Sequence, residues 1–314
     1  MTATEYKAGT NLEKILSEGK FAVTGECGPP KSADGSVIEN KAKMLAGYVD
    51  AVNITDNQTA VVRISSIASG YTAMQNGVEP IVQMTCRDRN RLAMQADLLG
   101  AHTLGIHNCL CLTGDHLSFG NHPEARGVHD LDAINLIEML RRMRDEKKFD
   151  CGEEMDVAPK FYIGCAENPF GDPFEFRAIR LKKKILAGAD FMQTQCIFNI
   201  PKFKTWMEEV RAEGLHQEIK ILAGITPLKG VGGARYMKNF VPGMDVPDEI
   251  VDRMAGVEKG PASHAEGKKL AVEMIKELAE IEGVAGVHIM AVEWEEAVPD
   301  IVEAAGLLPR PTVA

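Results

Sequence analysis

The sequence predicts a single (β/α)8 barrel, an α/β fold class, and three observations favour it. Short apolar runs alternate with longer amphipathic segments, the pattern of parallel strands joined by crossover helices. Eight such runs occur, which is the number of strands in this barrel. The chain has 314 residues, which fits the roughly 250 residues of such a barrel plus insertions. The predicted strands are Phe21–Glu26, Ala51–Thr55, Pro80–Cys86, Cys109–Thr113, Phe161–Ala166, Phe191–Phe198, Ile219–Thr226 and Val287–Val292.

The segments between these runs have apolar residues at three- and four-residue spacing, which predicts helices. Short extra helices are expected beside the main ones, which are Asn90–Leu99, Asp130–Arg144, Pro173–Ala187, Ile200–Glu213 and His264–Ile281. A doubly wound sheet is the alternative, but the first strand runs into Cys27-Gly28-Pro29-Pro30 instead of a G-x-G-x-x-G motif. No tandem repeat or linker interrupts the pattern, so we expect one barrel domain over residues 1–314.

Composition and charge narrow the function classes. With 45% hydrophobic and 25% charged residues, the chain has an ordinary globular composition. The formal net charge of −10 argues against a nucleic-acid partner. The amino terminus lacks the apolar stretch of a signal peptide, and no uncharged apolar run reaches the roughly 18 residues of a membrane span. We therefore expect a cytoplasmic protein without a membrane segment, whose 7 cysteines are reduced.

The carboxyl ends of barrel strands form the active site, so polar residues at those ends are the first candidates. Two carboxylates stand out among them, at positions 26 and 115. The full set is Glu26, Asn53, Thr55, Asp56, Gln83, Thr85, Asp115, Glu167, Asn168, Gln193, Gln195, Thr226 and Glu293.

Glu26 ends an apolar strand and precedes a glycine and two prolines, which hold the backbone stiff. A carboxyl group that is partly desolvated in this way and stays protonated near neutrality can act as a general acid. The alternative is a structural role, such as a pair with Lys31. Asp115 follows Thr113-Gly114, where glycine permits a tight turn or a close approach to a ligand. Its alternative is an ordinary turn aspartate.

Two further clusters have weaker functional interpretations. His107, Cys109 and Cys111 alternate along a strand, but zinc cysteines usually come from turns with two to four intervening residues, so core thiols are favoured and no metal site is expected. Lys182-Lys183-Lys184 lies in a predicted amphipathic helix, which places at least one lysine near the sheet. The run is either a solvated charged face or a phosphate contact through Lys183 or Lys184.

Several ordered motifs resemble those of the methylenetetrahydrofolate reductase family, from about Phe21 to Pro309. Chance similarity at so many sites in the same order is improbable. The motifs are Glu26-Cys27-Gly28-Pro29-Pro30, Asn53-Ile54-Thr55, Gln83-Met84-Thr85-Cys86, Leu112-Thr113-Gly114-Asp115, Leu181-Lys182-Lys183-Lys184, Ala187-Gly188-Ala189 and Thr194-Gln195.

The resemblance implies a flavin-bearing barrel that transfers a hydride to 5,10-methylenetetrahydrofolate and gives 5-methyltetrahydrofolate. The resemblance also implies that Glu26 protonates the folate nitrogen as the five-membered ring opens to an iminium. Asp115 would lie between flavin and pterin, and Gln195 would hydrogen-bond the pterin. The residues expected to line the flavin are Thr55, Gln83, Thr113, Gly114, Asp115, Asn168, Lys183 and Lys184.

Departures from the family pattern leave the cofactor and the electron donor open. Arg177 stands where an acidic residue often contacts the outer part of FAD, so FMN is an alternative to FAD. Thr113 and Asn168 stand where arginine and histidine are frequent. Val231 stands where an aromatic residue helps to hold nicotinamide, so the donor is either NAD(P)H or a redox partner subunit, as in short, barrel-only members of the family. A homo-oligomer is also compatible with the sequence.

Two other functions compete with this one. A lyase or aldolase on the same barrel would need a Schiff-base lysine or a metal site at a strand end, and the sequence offers neither. A flavin-bearing electron-transfer or assembly subunit would have the same fold and cofactor, but no folate turnover of its own.

Overall fold

The computed structural model describes residues 6–313, and its centre is a closed barrel of eight parallel strands in chain order. This confirms the predicted fold class. Strand β8 pairs with β1, with Ala22 opposite Gly286 and Gly25 opposite Ile289, which closes the barrel. The strands are β1 (Ala22–Cys27), β2 (Ala51–Ile54), β3 (Pro80–Thr85), β4 (Asn108–Leu112), β5 (Tyr162–Glu167), β6 (Phe191–Cys196), β7 (Lys220–Ile225) and β8 (Val284–Ile289).

Helices follow the strands and cover the outside of the barrel. They are α1 (Asn11–Ser17), α2 (Ser36–Leu45), α3 (Ser66–Gln75), α4 (Arg91–Thr103), α5 (Ala133–Glu146), α6 (Arg177–Ala187), α7 (Ile200–Ala212), α8 (Leu215–Glu218), α9 (Val231–Phe240), α10 (Asp248–Ala255), α11 (Pro261–Ala279) and α12 (Val298–Ala304). Within residues 6–313, none of them is both long and apolar enough to cross a bilayer.

All five predicted helices are present, with small changes at their ends. Helix α4 begins one residue after the predicted start because the Asn90 side chain accepts a hydrogen bond from the Ala93 backbone N–H and caps the helix. Before α6, Phe174–Phe176 form a short 3-10 turn where a continuous helix was expected. Helix α11 begins at Pro261, three residues earlier than predicted, because proline is well accommodated in a first helical turn.

The lower half of the barrel interior is apolar and is closed by α1. The rings of Tyr162 and Phe191 stack with their centroids 5.1 Å apart. Gly164 gives Phe191 its space, since a Cβ at this glycine would lie 2.3 Å from the ring. The other members of this cluster are Leu12, Ile15, Leu16, Ala22, Ala51, Ile81, Leu110 and Leu222, with Ala8. A site inside the barrel is therefore confined to the upper half, at the carboxyl ends of the strands.

Glu79 fixes α1 across that lower end. Its carboxylate accepts hydrogen bonds from the backbone N–H groups of Asn11, at 2.6 Å, and Leu12, at 3.0 Å. These two donors begin the helix, where a negative charge is favourable. The helix thus lies against the apolar layer that fills the lower end of the barrel.

Candidate active site

A cavity of about 380 Å³ opens at the carboxyl ends of the strands. Of the residues predicted from the sequence to bind cofactor or substrate or to act in catalysis, Glu26, Gln83, Asn168, Lys184 and Gln195 all line it. Thr55, Thr113, Gly114, Asp115 and Lys183 lie outside its lining. The remaining lining residues are Asn53, Leu110, Leu112, Ala166, Glu167, Arg177, Arg180, Gln193, Thr194, His288 and Met290.

Glu26 points inward near the end of β1, and 22% of its side chain is exposed. One carboxylate oxygen, Oε2, lies 3.9 Å from Nε2 of His288 on β8. Glu26 also lines a second cavity of about 240 Å³, which Lys41 and Arg63 border on the far side. This carboxyl group therefore lies between a solvent-accessible cleft and the barrel interior, in reach of a substrate in either cavity.

Four polar side chains form a hydrogen-bonded layer below Glu26. Asn53 and Gln193 exchange two amide hydrogen bonds, with Nδ2 to Oε1 at 2.6 Å and Nε2 to Oδ1 at 3.0 Å. The imidazole Nδ1 of His288 lies 3.0 Å from Thr24 Oγ1, and its Nε2 lies 3.4 Å from Asn53 Nδ2. All four residues are buried. Because each is fixed by another, the layer is a rigid polar floor for the cavity.

An ion-pair cluster forms the wall on the side of β5 and α6. Glu167 Oε2 lies 2.7 Å from Lys184 Nζ, and both side chains are almost completely buried. Lys184 also donates to the carbonyl oxygen of Ala166. Arg177 Nη1 lies 3.7 Å from Glu167 Oε1, and Arg180 joins the same wall. Three cationic side chains thus accompany a single carboxylate here, which leaves this wall with a net positive charge.

Lys183, the other lysine expected at the cofactor, is exposed on α6. Its Nζ lies 5.3 Å from the centroid of the Phe176 ring, a cation–π distance. The structure therefore divides the lysine run: Lys184 faces the cavity and Lys183 faces outward.

Asp115 is exposed on the loop after β4, and its Oδ2 accepts a hydrogen bond from the Thr59 backbone N–H at 2.8 Å. Gly114 has φ +96°, and a Cβ there would lie 3.0 Å from Cβ of Arg87. The positive φ and the close packing against Arg87 explain why glycine stands at this position. Arg87 is 1% exposed and donates to the Asp115 carbonyl oxygen at 3.2 Å.

Two predicted threonines are occupied by local hydrogen bonds. Thr55 donates to Gln58 Oε1 at 2.7 Å. Thr113 Oγ1 accepts from the Ala133 backbone N–H at 3.1 Å. Both hydroxyl groups fix loops around the site.

Cys109 and Cys111 pack in the hydrophobic core between the strands and the helices, away from the cavity. The pKa of the Cys111 thiol is raised well above its usual range, by a hydrogen bond with Cys109 and by burial. Burial also raises the pKa of the neighbouring Cys165 to about 12. Cys111 and Cys165 therefore stay protonated, and the three buried cysteines pack as small apolar groups.

His288 and Arg180 line the cavity without having been predicted from the sequence, and Glu167 was given no role there. For the eighth strand only Glu293, after its predicted end, was a candidate, although a polar residue inside the strand, as Gln193 is in β6, was an available signal for His288. Arg180 precedes Lys184 by four residues and follows Arg177 by three, the spacing that places side chains on one helix face.

Comparison with known proteins gives a match over most of the chain. A family model described as "Methylenetetrahydrofolate reductase" matches residues 11–306. The chain is 25% identical over 313 residues to "5,10-methylenetetrahydrofolate reductase" of Pectobacterium carotovorum, with 96% of each protein covered. It is 24% identical to "Probable methylenetetrahydrofolate reductase (NADPH)" of Caenorhabditis elegans, where 94% of this chain matches 44% of the relative. The chain therefore spans less than half of that longer relative.

Solved structures show the same fold at low sequence identity. An uncharacterized protein from Clostridium thermocellum, described as binding two copies of 5-methyl-5,6,7,8-tetrahydrofolic acid, superposes with a TM-score of 0.62 at 15% identity, covering 95% of this chain and 99% of that one. A long-chain alkane monooxygenase superposes with a TM-score of 0.54 at 12% identity, covering 94% and 92%.

Proposed function

This chain belongs to the methylenetetrahydrofolate reductase family, and from that premise we propose that it catalyses the flavin-dependent reduction of 5,10-methylenetetrahydrofolate to 5-methyltetrahydrofolate. The observation that carries the proposal is the shared cavity of Glu26, Gln195 and the α6 cations. The same cavity thus contains a proton donor (Glu26), an amide that can hydrogen-bond a heterocycle (Gln195) and a positively charged wall that can bind an anionic group. The Clostridium thermocellum protein is described as binding 5-methyl-5,6,7,8-tetrahydrofolic acid, which is the product of the proposed reaction.

The cavity residues fit a flavin. Leu110, Leu112 and Met290 offer apolar surface for a flat ring, and Gln83 offers an amide that can pair with the polar edge of that ring. Arg177, Arg180 and Lys184 supply the charge that a phosphate requires. Both FAD and FMN carry such a phosphate, and we propose FAD with FMN as the alternative. When bound, the reduced flavin supplies the hydride.

The protein residues supply the proton and the orientation. Glu26 gives its proton to the folate nitrogen whose bond to the methylene carbon breaks, and that carbon becomes an electrophile for the hydride. Gln195 is half-buried at the end of β6 and hydrogen-bonds the pterin. Asp115 holds the folate from the β4 loop and places a negative charge near the flavin. Glu26 regains a proton from solvent, since part of its side chain is exposed.

For the electron donor we propose NAD(P)H, since relatives from Caenorhabditis elegans and Arabidopsis thaliana are named for NADPH and NADH. Val231 begins α9 and offers no ring for nicotinamide. Phe198, just after β6, is buried in the core, whereas Tyr236 and Phe240 on α9 are exposed. A redox partner subunit is the alternative donor. Anaerobic mixing with NADH or NADPH separates the two, because only a direct donor reduces the flavin of the isolated chain.

The proposed function is tested first by colour. The purified chain, reconstituted with FAD or FMN, is expected to be yellow from the visible absorbance of the oxidised flavin. Anaerobic addition of 5-methyltetrahydrofolate should bleach that absorbance as the hydride returns. A chain that binds neither flavin contradicts the proposal. A yellow chain that no folate bleaches or reoxidises indicates the electron-transfer subunit instead.

A further inference from the structure

Arg180 differs from the other cations of the cavity wall in having no protein partner within residues 6–313. Its side chain is half-buried and lines the cavity at the carboxyl ends of the strands. In this described part of the chain, its guanidinium group makes neither a hydrogen bond nor an ion pair. All five of its N–H donors are therefore left for solvent or for a ligand in the cavity.

The other two cations of this wall are engaged by the protein itself. Lys184 Nζ lies 2.7 Å from Glu167 Oε2. Arg177 places Nη1 3.7 Å from Glu167 Oε1, and its Nε and Nη2 donate to the carbonyl oxygens of Pro173 and Asp172 at 3.4 and 3.3 Å. The single carboxylate of the wall thus serves Lys184 and Arg177, and Arg180 is left without a counter-ion there.

Without an anion, this position on α6 is unfavourable for a cation. Arg177 precedes Arg180 by three residues and Lys184 follows it by four, which places like charges side by side on one helix face. The helix dipole also disfavours positive charge near the start of α6, and the first turn of this helix contains no acidic residue. A bound anion relieves both effects, so the charge pattern of the wall fits an anionic ligand.

We propose that Arg180 is the residue that recognises the phosphate of the flavin and so selects a phosphorylated flavin over riboflavin. A guanidinium group suits this role because its planar N–H donors bind two phosphate oxygens at once. Lys184 and Arg177 hold Glu167 in place and add positive charge, while Arg180 makes the contact. This inference rests on the proposed function, in which the cavity binds a flavin.

Paired binding measurements with riboflavin and FMN test this role, because the two flavins differ only in the phosphate. Titration of the flavin fluorescence measures the Kd of each. We expect Arg180→Gln to weaken FMN binding about 10- to 100-fold, the range for a charge-assisted hydrogen bond, and to leave riboflavin binding within about twofold. Arg180→Lys keeps the charge without the planar donors and should recover part of the loss.

Lys182→Gln is the matched control for the change in charge. Lys182 lies on the same helix, but it is exposed and pairs with Glu213 at 3.0 Å. This substitution removes one positive charge from α6 without touching the cavity lining. It should change the affinity for neither flavin.

Equal losses of riboflavin and FMN affinity in Arg180→Gln, or no loss of either, would overturn the proposal. Weaker binding of 5-methyltetrahydrofolate with unchanged FMN binding would assign Arg180 to the folate carboxylates and would also overturn it. If Arg180→Gln does not fold, Arg180→Lys decides by the same comparison: we expect weaker FMN binding with unchanged riboflavin binding, and unchanged FMN binding would contradict the proposal.

The binding comparison does not require turnover, so it separates this inference from the proposed reaction. A chain that shows the expected difference between FMN and riboflavin but reduces no folate would reject the reaction alone. A chain that turns over folate but binds both flavins equally after Arg180→Gln as before would reject the role of Arg180 alone. A chain that binds no flavin would reject both.

Discussion

The carboxylate of Glu167 lies 2.7 Å from the ammonium group of Lys184, and the two side chains are 1% and 4% exposed. A charge at this depth is stable only with its partner, because the interior does not solvate it as water does. The pair therefore fixes α6 against β5 and sets the charge of the cavity wall.

Lys184→Met should destabilise the chain by about 3 kcal/mol, in the range for breaking a buried ion pair. Glu167 would be left with Arg177 Nη1, 3.7 Å away, as its nearest cationic group. Chemical denaturation measures the free energy of unfolding. Lys183→Met removes the same charge from the exposed neighbour and should stay within about 0.5 kcal/mol. Equal effects of the two substitutions would contradict the assignment of Lys184 to the interior.

Gly164→Ala tests the packing of the barrel floor. The added Cβ would lie 2.3 Å from the Phe191 ring, so the ring must shift within a filled core. Overpacking of this kind costs about 1–3 kcal/mol. Gly232→Ala is the matched control: it lies in α9 with nothing within 4 Å of the new Cβ, and alanine there should stabilise the helix by about 0.5–1 kcal/mol. Thermal or chemical denaturation measures the stability of both variants. If both are as stable as the unsubstituted chain, the apolar layer around Phe191 is less tightly packed than the structure indicates.

The barrel could be predicted from the sequence because buried parallel strands are nearly continuous apolar runs. Strand β8 shows the limit of that signal. It runs from Val284 to Ile289, whereas the prediction began at Val287 and extended to Val292. Gly286 explains why the predicted strand began too late, because glycine has a low strand propensity. Glycine is needed there because a Cβ at this position would lie 2.4 Å from the Ala22 carbonyl oxygen of β1.

The candidate site was predictable where strand ends supply it, as at Glu26 and Gln195. His288 was missed because only the end of the predicted eighth strand was searched, and Arg180 was missed because it lies on a helix. The sequence could not predict which of Lys183 and Lys184 is buried, since both positions in this run of lysines fit an amphipathic helix.

Asp115→Asn should raise the reduction potential of the bound flavin, because a fixed negative charge nearby disfavours the anionic reduced form. The Thr59 backbone N–H donates to the carboxylate at 2.8 Å and holds it on the loop after β4. A spectroscopic redox titration of the reconstituted chain measures the potential. Asp115→Glu keeps the charge and should leave the potential nearly unchanged. No difference between the asparagine and glutamate variants would place the carboxylate too far from the flavin to act on it.

Glu26→Gln should bind flavin with an unchanged spectrum and reduce methylenetetrahydrofolate about 100-fold more slowly, since the amide fills the same space but gives no acidic proton. Steady-state assays with saturating folate measure the loss in kcat. Glu218→Gln makes the same chemical change on exposed α8 and should have no effect. Near-normal turnover in Glu26→Gln would assign Glu26 a structural role.

The reaction itself is tested most directly by anaerobic stopped-flow mixing of the reduced, flavin-loaded chain with 5,10-methylenetetrahydrofolate. We expect flavin absorbance to return in a single exponential phase, without oxygen, and 5-methyltetrahydrofolate to form in an amount equal to the flavin oxidised. Flavin that stays reduced in the presence of saturating methylenetetrahydrofolate would contradict the proposed reaction.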